Sequence, residues 1–416
     1  QKLLPEGATL FSVILLSDKT HLSTFSGDKQ AWPVYITIRN VDKSVCQSPK
    51  RRAIALLGYL PIAKLQCFAK SECSLQGYRV FHYPMKQLLQ LLVVASQDRV
   101  EMGCCDVYPI LAAYITDYPE QCLVSCCKEN RCPTCIVAPD QCGELLDSLY
   151  CDPVESLKAI HESTTNSRFA DEGLREILEP FWVHLPYANV FACITPDLLH
   201  QLHKGVFKDH LFKWVSTSCE DEMDAQFMQV PPYQGLQIFK KGISSVTQWT
   251  GNEYRQMEKV FVRIISSLHS NEPHIIAASH AILDFICLAH YPSHSTSSLQ
   301  AMKAALEAFH ANKQVFVDLG LRSHFNIPKL HWLQHYVASI INFGSCDSLS
   351  TEIYKQLHID FAKQGYRASN RKAYIQQMIK WLTCREKIRL FQSYLCWIAC
   401  FEGGGVDLGE TFKPEV

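Results

Sequence analysis

No apolar run in this 416-residue chain is long enough to span a bilayer. The longest, Leu88 to Ala95, is broken by Gln90 and is too short for a signal-peptide core followed by a cleavage site. An intracellular chain with no membrane partner is therefore expected. An excess of charge of one sign is also missing: 40 Lys and Arg against 41 Asp and Glu leave a formal net charge of −1. That balance speaks against a surface that tracks nucleic acid throughout, so any such contact must use local patches. There is no internal repeat and no low-complexity tract. Cysteine, in contrast, is plentiful at 19 residues, but the number is odd and several stand in adjacent pairs such as Cys104-Cys105 and Cys126-Cys127. A chain with 47% hydrophobic residues can bury a large core without staples, so reduced thiols and a metal are expected rather than a disulfide scaffold. The chain starts at Gln1 almost directly on an apolar strand and reads as a piece of something longer.

The first 139 residues carry strand signals. Phe11 to Ser17 is a short apolar run of the kind buried on both faces, and Asp18 stands at its C-terminal end. Pro33 to Asn40 alternates Val34, Ile36 and Ile38 against Tyr35, Thr37 and Arg39, the pattern of a half-exposed strand. A turn through Ser26 to Lys29 precedes it, and a third strand is expected at Ala53 to Tyr59. Lys86 to Gln97 has the broad apolar face of a helix. Val107 to Thr116 is again apolar nearly throughout and ends on Asp117. A three-strand meander, a helix and a further buried strand is the order of an RNase H-like sheet. Ligands gather at C-terminal strand ends, so Asp18 and Asp117 converge if their strands are neighbours.

From about Asp140 the texture turns helical: Pro153 to His161, Ala170 to Leu178, Thr195 to Val215, Asn252 to His269, His274 to His290 and Ser297 to Leu319. Thr195-Pro196 is expected to cap its helix. The expected fold is α/β, an RNase H-like mixed sheet interrupted by a large all-helical insertion and followed by a helical C-terminal tail. The boundaries are 1–139 for the first part of the core, 140–326 for the insertion, 327–400 for the closing helices and 401–416 for the tail.

Three constellations carry chemistry. Cys132-x2-Cys135 with His331-x3-His335 is the ligand set of a structural, tetrahedral Zn²⁺, two thiolates from a knuckle and two imidazoles from one helix face. Each pair alone is weak and packs without metal in many chains; Cys126, Cys127 and Cys142 are possible substitutes. Asp18, Asp117 and Glu352 are hard oxygen donors of the kind that hold two Mg²⁺ (or Mn²⁺) for phosphoryl chemistry. The plainer reading makes each aspartate a turn or cap residue and Glu352 a helix N-terminal charge behind Ser350 or Thr351. Asp197, His200 and His203 suggest a further metal site, with metallohydrolase chemistry as the associated reading, although Leu198, Leu199, Leu202 and Val206 around them fit a packed helix better. For DNA contact the candidates are Lys50, Arg51 and Arg52, then Arg367, Arg371 and Lys372, with Lys380, Arg385, Lys387 and Arg389 further on. Trp249 can stack a splayed base or simply sit in a core.

Several phrases resemble a known family. They are Ser17-Asp-Lys-Thr-His-Leu22, Trp32-Pro-Val-Tyr-Ile-Thr-Ile-Arg-Asn40, Arg51-Arg52 through Leu56 to Pro61, Asp117-Tyr-Pro-Glu-Gln-Cys122, Cys132-Pro-Thr-Cys135, Ile194 to His203, and the run from Lys329 to Glu352. Together they are similar to the Plavaka transposases, fungal DNA-transposon proteins related to the CACTA group and more distantly to the V(D)J recombinase. The resemblance implies an RNase H-like core, a DDE triad at Asp18, Asp117 and Glu352, a CxxC/HxxxH zinc site, DNA as partner, a homo-oligomer assembled on DNA, and a nuclear location. A domesticated or decayed copy that binds DNA or protein without catalysis is the competing expectation.

Overall fold

The strand β1 (Thr9–Ser17) lies between two partners and orders the sheet around itself. The structure, a computed structural model, describes residues 4–401 other than 24–28, 47, 49, 50, 164, 218, 247 and 248. The turn expected at Ser26 to Lys29 falls largely outside the described residues, as do Lys50 and nearly all of the 401–416 tail. On one side β1 pairs antiparallel with β3 (Gln30–Ile38), which in turn pairs with β4 (Ala55–Leu60). On the other side it pairs parallel with β6 (Cys105–Ile115). The sheet is therefore mixed, and the expected meander of three strands is present.

The parallel pair contains one irregularity that matters. Up to Val13, which faces Leu111, the two strands run in step; from Ile14, which faces Ala113, the register has advanced by one residue of β6. Ala112 is the extra residue of a β-bulge, a device that re-aims everything beyond it. Continuing the shifted register past Leu16 and Ile115 sets Asp18 opposite Asp117. Without the bulge Asp18 would face Thr116, whose hydroxyl instead donates to the Ser17 carbonyl at 2.8 Å.

One sheet face is covered by helices that the sequence signals only in part. The expected helix at Lys86 to Gln97 is the end of a longer element, Lys70–Leu88 followed by Gln90–Asp98. Its first half was hidden because its apolar stripe includes a histidine and Pro84 lies inside it. Tyr78, Phe81, His82 and Met85 are nevertheless all buried, at the i, i+3, i+4, i+7 spacing of one face. They pack with Val13, Leu15, Trp32, Val34, Leu111 and Tyr114, and Trp32 stacks on Phe81 at 5.3 Å. A short exposed strand β5 (Val100–Met102), hairpinned to β6 through Gly103 at φ +63°, was not anticipated.

After the knuckle the chain returns to the sheet. Ile194 bridges in parallel to Tyr114, and Thr195 donates to the Tyr114 carbonyl through its N–H and its hydroxyl. Thr195 is thus committed to the sheet, and Asp197 rather than Thr195 caps the helix Leu198–Phe212 by accepting from Leu199 N and His200 N. That helix is wound with π-type turns. It packs with Gly251–Leu268, Pro273–Ala289 and Thr296–Asn312 around Leu202, Phe207, Phe261, Ile282, Phe285 and Phe309. The helix Gly251–Leu268 opens on a capping box between Thr250 and Glu253.

The chain divides into two units, residues 1–18 with 32–355 and residues 19–31 with 356–416. The second contains β2 (Thr20–His21), paired with Gln30 and Ala31, and the helix Tyr374–Phe401. Within it the Tyr374 hydroxyl donates to the Gln30 carbonyl at 2.8 Å, and the Arg385 guanidinium lies 4.6 Å from the Trp381 ring.

Candidate metal centre and acidic site

The knuckle and the two histidines meet. Cys132, Cys135, His331 and His335 are all buried and their four ligand atoms lie within 4.8 Å of one another. Cys135 Sγ is 3.1 Å from His331 Nε2 and 3.4 Å from His335 Nε2, and Cys132 Sγ is 3.4 Å from His335 Nε2. A tetrahedral zinc, with about 2.3 Å to sulfur and about 2.0–2.1 Å to nitrogen, has S···N edges of roughly 3.6 Å, so the donor set fits that ion in type, number and spacing. The helix expected from Lys329 is locally tightened: Trp332–His335 forms a 3₁₀ turn between Pro328–His331 and Tyr336–Phe343. The Gln334 amide lies 2.7 Å from His331 Nδ1 and donates to the Glu144 carbonyl, fixing the ring from behind. Burial works against a thiolate at Cys132, but its hydrogen bond with Cys135 and the His335 charge outweigh it and hold Cys132 well below the usual thiol range. Cys126, Cys127 and Cys142, the possible substitutes, are not gathered with this set: Cys126 Sγ sits 3.2 Å from His82 Nε2 and Cys127 Sγ 3.1 Å from Ser125 Oγ.

At the sheet edge, Asp18 and Asp117 act on each other. The Asp18 pKa is raised to about 7, first by burial and then by the Asp117 charge, while His200 and Lys355 oppose the rise. Asp117 also does the plainer job, capping the helix Tyr118–Val124 by accepting from Glu120 N at 3.1 Å. A carboxyl whose ionisation is opposed by burial and by a neighbouring carboxylate marks a site short of positive charge, and hard oxygens there suit Mg²⁺ or Mn²⁺.

Glu352 opens its helix as expected, its N–H donating to Ser350 Oγ at 3.3 Å. Its side chain is half-buried, and Oε2 accepts from Arg255 Nη2 at 2.5 Å. A Cβ placed on Gly251 would lie 2.7 Å from its Oε1, so the carboxylate sits against the first turn of the Gly251–Leu268 helix. Among the described residues only the Cys132, Cys135, His331, His335 set gathers three or more such ligand atoms closely; Glu352 is not gathered with Asp18 and Asp117 in this way.

Asp197, His200 and His203 are not gathered as one ligand set: Asp197 meets His200 but not His203, which fits the packed helix favoured there over the alternative of a metal site. Asp197 is fully buried and accepts from Thr351 Oγ1 at 2.8 Å, and its Oδ2 lies 2.9 Å from His200 Nδ1. Burial disfavours the His200 cation, but Asp197, then Asp117, keep its pKa above the usual imidazole value. His203 turns the other way, with Nδ1 2.7 Å from Glu258 Oε1 and Nε2 2.6 Å from His290 Nε2. Residues on one helix face by spacing separate here because the π-type winding rotates each turn. Trp249 is half-buried, stacked on Tyr254 at 5.7 Å, with Lys208 Nζ 4.5 Å from its ring. Arg51 and Arg52 are exposed in the first unit, and Arg367, Arg371 and Lys372 are exposed in the second.

Three residues near the site escaped sequence reasoning: Arg255 and Gly251, inside an unremarkable amphipathic helix, and Glu120. Glu120 is fully buried below the strand ends, where it accepts from Trp32 Nε1 at 3.0 Å and from the Ser17 hydroxyl. Burial, then the Asp117 charge, raises its pKa to about 8.

A family model described as Plavaka transposase matches residues 1–215. The match takes in both aspartates, the knuckle and Asp197 to His203. A comparison with curated proteins finds no match.

Two outcomes follow from this geometry. The purified chain is expected to carry one zinc, and Cys135→Ala or His331→Ala should release it and lower the unfolding free energy by on the order of 4 kcal/mol or more. Elemental analysis with thermal melts checks this; a zinc-free chain with an unchanged melting temperature contradicts it. Glu120 has a folded pKa above its ordinary 4.5, so its contribution to stability is complete below about pH 4.5 and is lost as the pH rises toward about 8. In buffer free of Mg²⁺ and Mn²⁺, Glu120→Gln should therefore gain on the wild type from pH 5 to 8, by on the order of a few kcal/mol. Parallel melting curves across that range would contradict it.

Proposed function

The chain belongs to the Plavaka transposase family, and from that membership we propose that it is the catalytic core of a DDE transposase, which cleaves DNA at transposon ends and joins the freed 3′-hydroxyl to target DNA. The observation that carries the reading is that Asp18 and Asp117 stand just past the C-terminal ends of adjacent parallel strands, close enough for the Asp117 charge to help raise the Asp18 pKa to about 7. Two Mg²⁺ or Mn²⁺, when bound there, would activate the attacking oxygen and stabilise the leaving one. The chain's own part is to supply the charge deficit that draws the ions. Asp18 and Asp117 present hard oxygens from a rigid sheet edge, and Glu352 is the third ligand in this reading. His200, whose pKa Asp197 and then Asp117 hold above the usual imidazole value, opposes the rise of the Asp18 pKa. The Cys132, Cys135, His331, His335 centre plays a structural part, tying the knuckle to the chain segment that leads to Glu352.

Exposed Arg51, Arg52, Arg367, Arg371 and Lys372 supply phosphate contacts in this reading, and the Trp249 ring stacks a splayed base. Residues 1–139 and 327–400 form the RNase H-like core around the 140–326 insertion, the protein assembles as a homo-oligomer on DNA, and it acts in the nucleus. A second reading, a domesticated or decayed copy that binds DNA or protein without catalysis, draws on one observation: the Glu352 carboxylate is already neutralised by Arg255.

The two readings separate in a strand-cleavage assay on end-bearing DNA. Asp18→Asn, Asp117→Asn and Glu352→Ala should each lower Mg²⁺-dependent cleavage by about 10³-fold or more while still folding to a cooperative melt, with Asp18→Asn no less stable than the wild type because its carboxyl is disfavoured as the anion by burial and by Asp117. Cleavage at wild-type level by any of them would overturn its assignment, and a wild type that binds DNA but never cuts would favour the second reading.

A further inference from the structure

The polar network around Glu352 is more elaborate than a helix-start charge needs. The Arg255 guanidinium donates to Glu352 Oε2 through Nη2 and to His203 Nε2 through Nε, at 2.5 and 3.4 Å. His203 is itself fixed by Glu258 on its other nitrogen and stacks on His290 at 4.8 Å. Arg255 is therefore anchored from the insertion side, with one arm left for the carboxylate. The other oxygen of Glu352 rests over Gly251, the first residue of the same helix, and only the lack of a side chain there allows the approach. Both oxygens of Glu352 are thus turned to the insertion helix rather than to the acidic pair.

We propose that Arg255 and Gly251 form a latch that positions Glu352 on the insertion helix, so that a divalent cation at Asp18 and Asp117 must exchange the carboxylate from guanidinium to metal. This rests on the reading of Glu352 as the third acidic ligand. The exchange is feasible because the ion pair is about one-third exposed on each side, 36% and 34%, where such a pair shifts an equilibrium by no more than about fivefold. A cation held by two further carboxylates outcompetes it. The helical insertion then acts as more than a spacer, because it sets how much metal is needed before the third ligand comes across.

Mn²⁺ binding to the zinc-loaded full chain, read by electron paramagnetic resonance without DNA, tests the latch apart from activity, with melting temperatures verifying that each variant folds. Arg255→Ala should tighten Mn²⁺ binding by about two- to fivefold. Gly251→Ala, which changes no charge but drives a methyl group against Glu352 Oε1, should tighten it in the same direction. Glu352→Ala should weaken it, and the Arg255→Ala/Glu352→Ala double variant should match Glu352→Ala alone. If Glu352→Ala weakens binding but Arg255→Ala and Gly251→Ala do not tighten it, the latch is wrong and the ligand reading stands. If Arg255→Ala still tightens binding in the Glu352→Ala background, a general field effect replaces the latch. If Glu352→Ala binds like the wild type, the ligand reading falls and the latch with it.

Discussion

The parallel pairing of β1 with β6, together with the single bulge at Ala112, is the constraint on which the site depends. Strand pairing brings the two C-terminal ends to one edge, and the bulge advances the register by one residue of β6, which carried on past Leu16 and Ile115 sets Asp18 against Asp117 rather than Thr116. Side-chain direction alternates along a strand, so a one-residue slip here would turn one carboxylate to the opposite face. The cost of this alignment appears in the protonation of the edge: Asp18 and Glu120 are both driven upward by burial and by neighbouring carboxylates. Tyr114, fully buried, holds the strand end from within through its hydroxyl, 2.7 Å from Ser17 Oγ.

The zinc centre solves a different problem. The Cys132 and Cys135 knuckle and the His331 and His335 turn are separated by nearly two hundred residues of mainly helical chain. Closing so long a loop costs conformational entropy, and a metal bridging its two ends removes most of that freedom in one step. Seventeen residues beyond His335 the chain reaches Glu352, whose direction is set by the first turn of the Gly251–Leu268 helix and by Arg255. Two independent devices therefore govern the third carboxylate, a metal clamp on its approach and an ion pair on its side chain.

What could be read from the sequence was whatever repeats at short range or has a ligand spacing. The runs ending on Asp18 and Asp117, the CxxC and the HxxxH each carry their meaning within a few residues, and the structure gathers the last two. The β5–β6 hairpin was missed because three exposed residues make no pattern, and the Lys70–Leu88 helix because a proline and a histidine interrupt its apolar stripe. His200 and His203 were grouped by ordinary helical spacing, which π-type winding undoes. Arg255 and Gly251 were invisible for a deeper reason. Their significance comes from a partner 97 or more residues away in the chain, and neither residue type is unusual on a helix.

The central claim is that Asp18 and Asp117 form one divalent-cation site at the β1–β6 edge. Anomalous scattering from crystals of the zinc-loaded chain soaked in Mn²⁺ tests it directly. The account predicts an Mn²⁺ peak bridging the carboxylates of Asp18 and Asp117, in addition to a zinc peak among Cys132, Cys135, His331 and His335. An empty edge at saturating Mn²⁺, or a peak ligated by other residues, would contradict it.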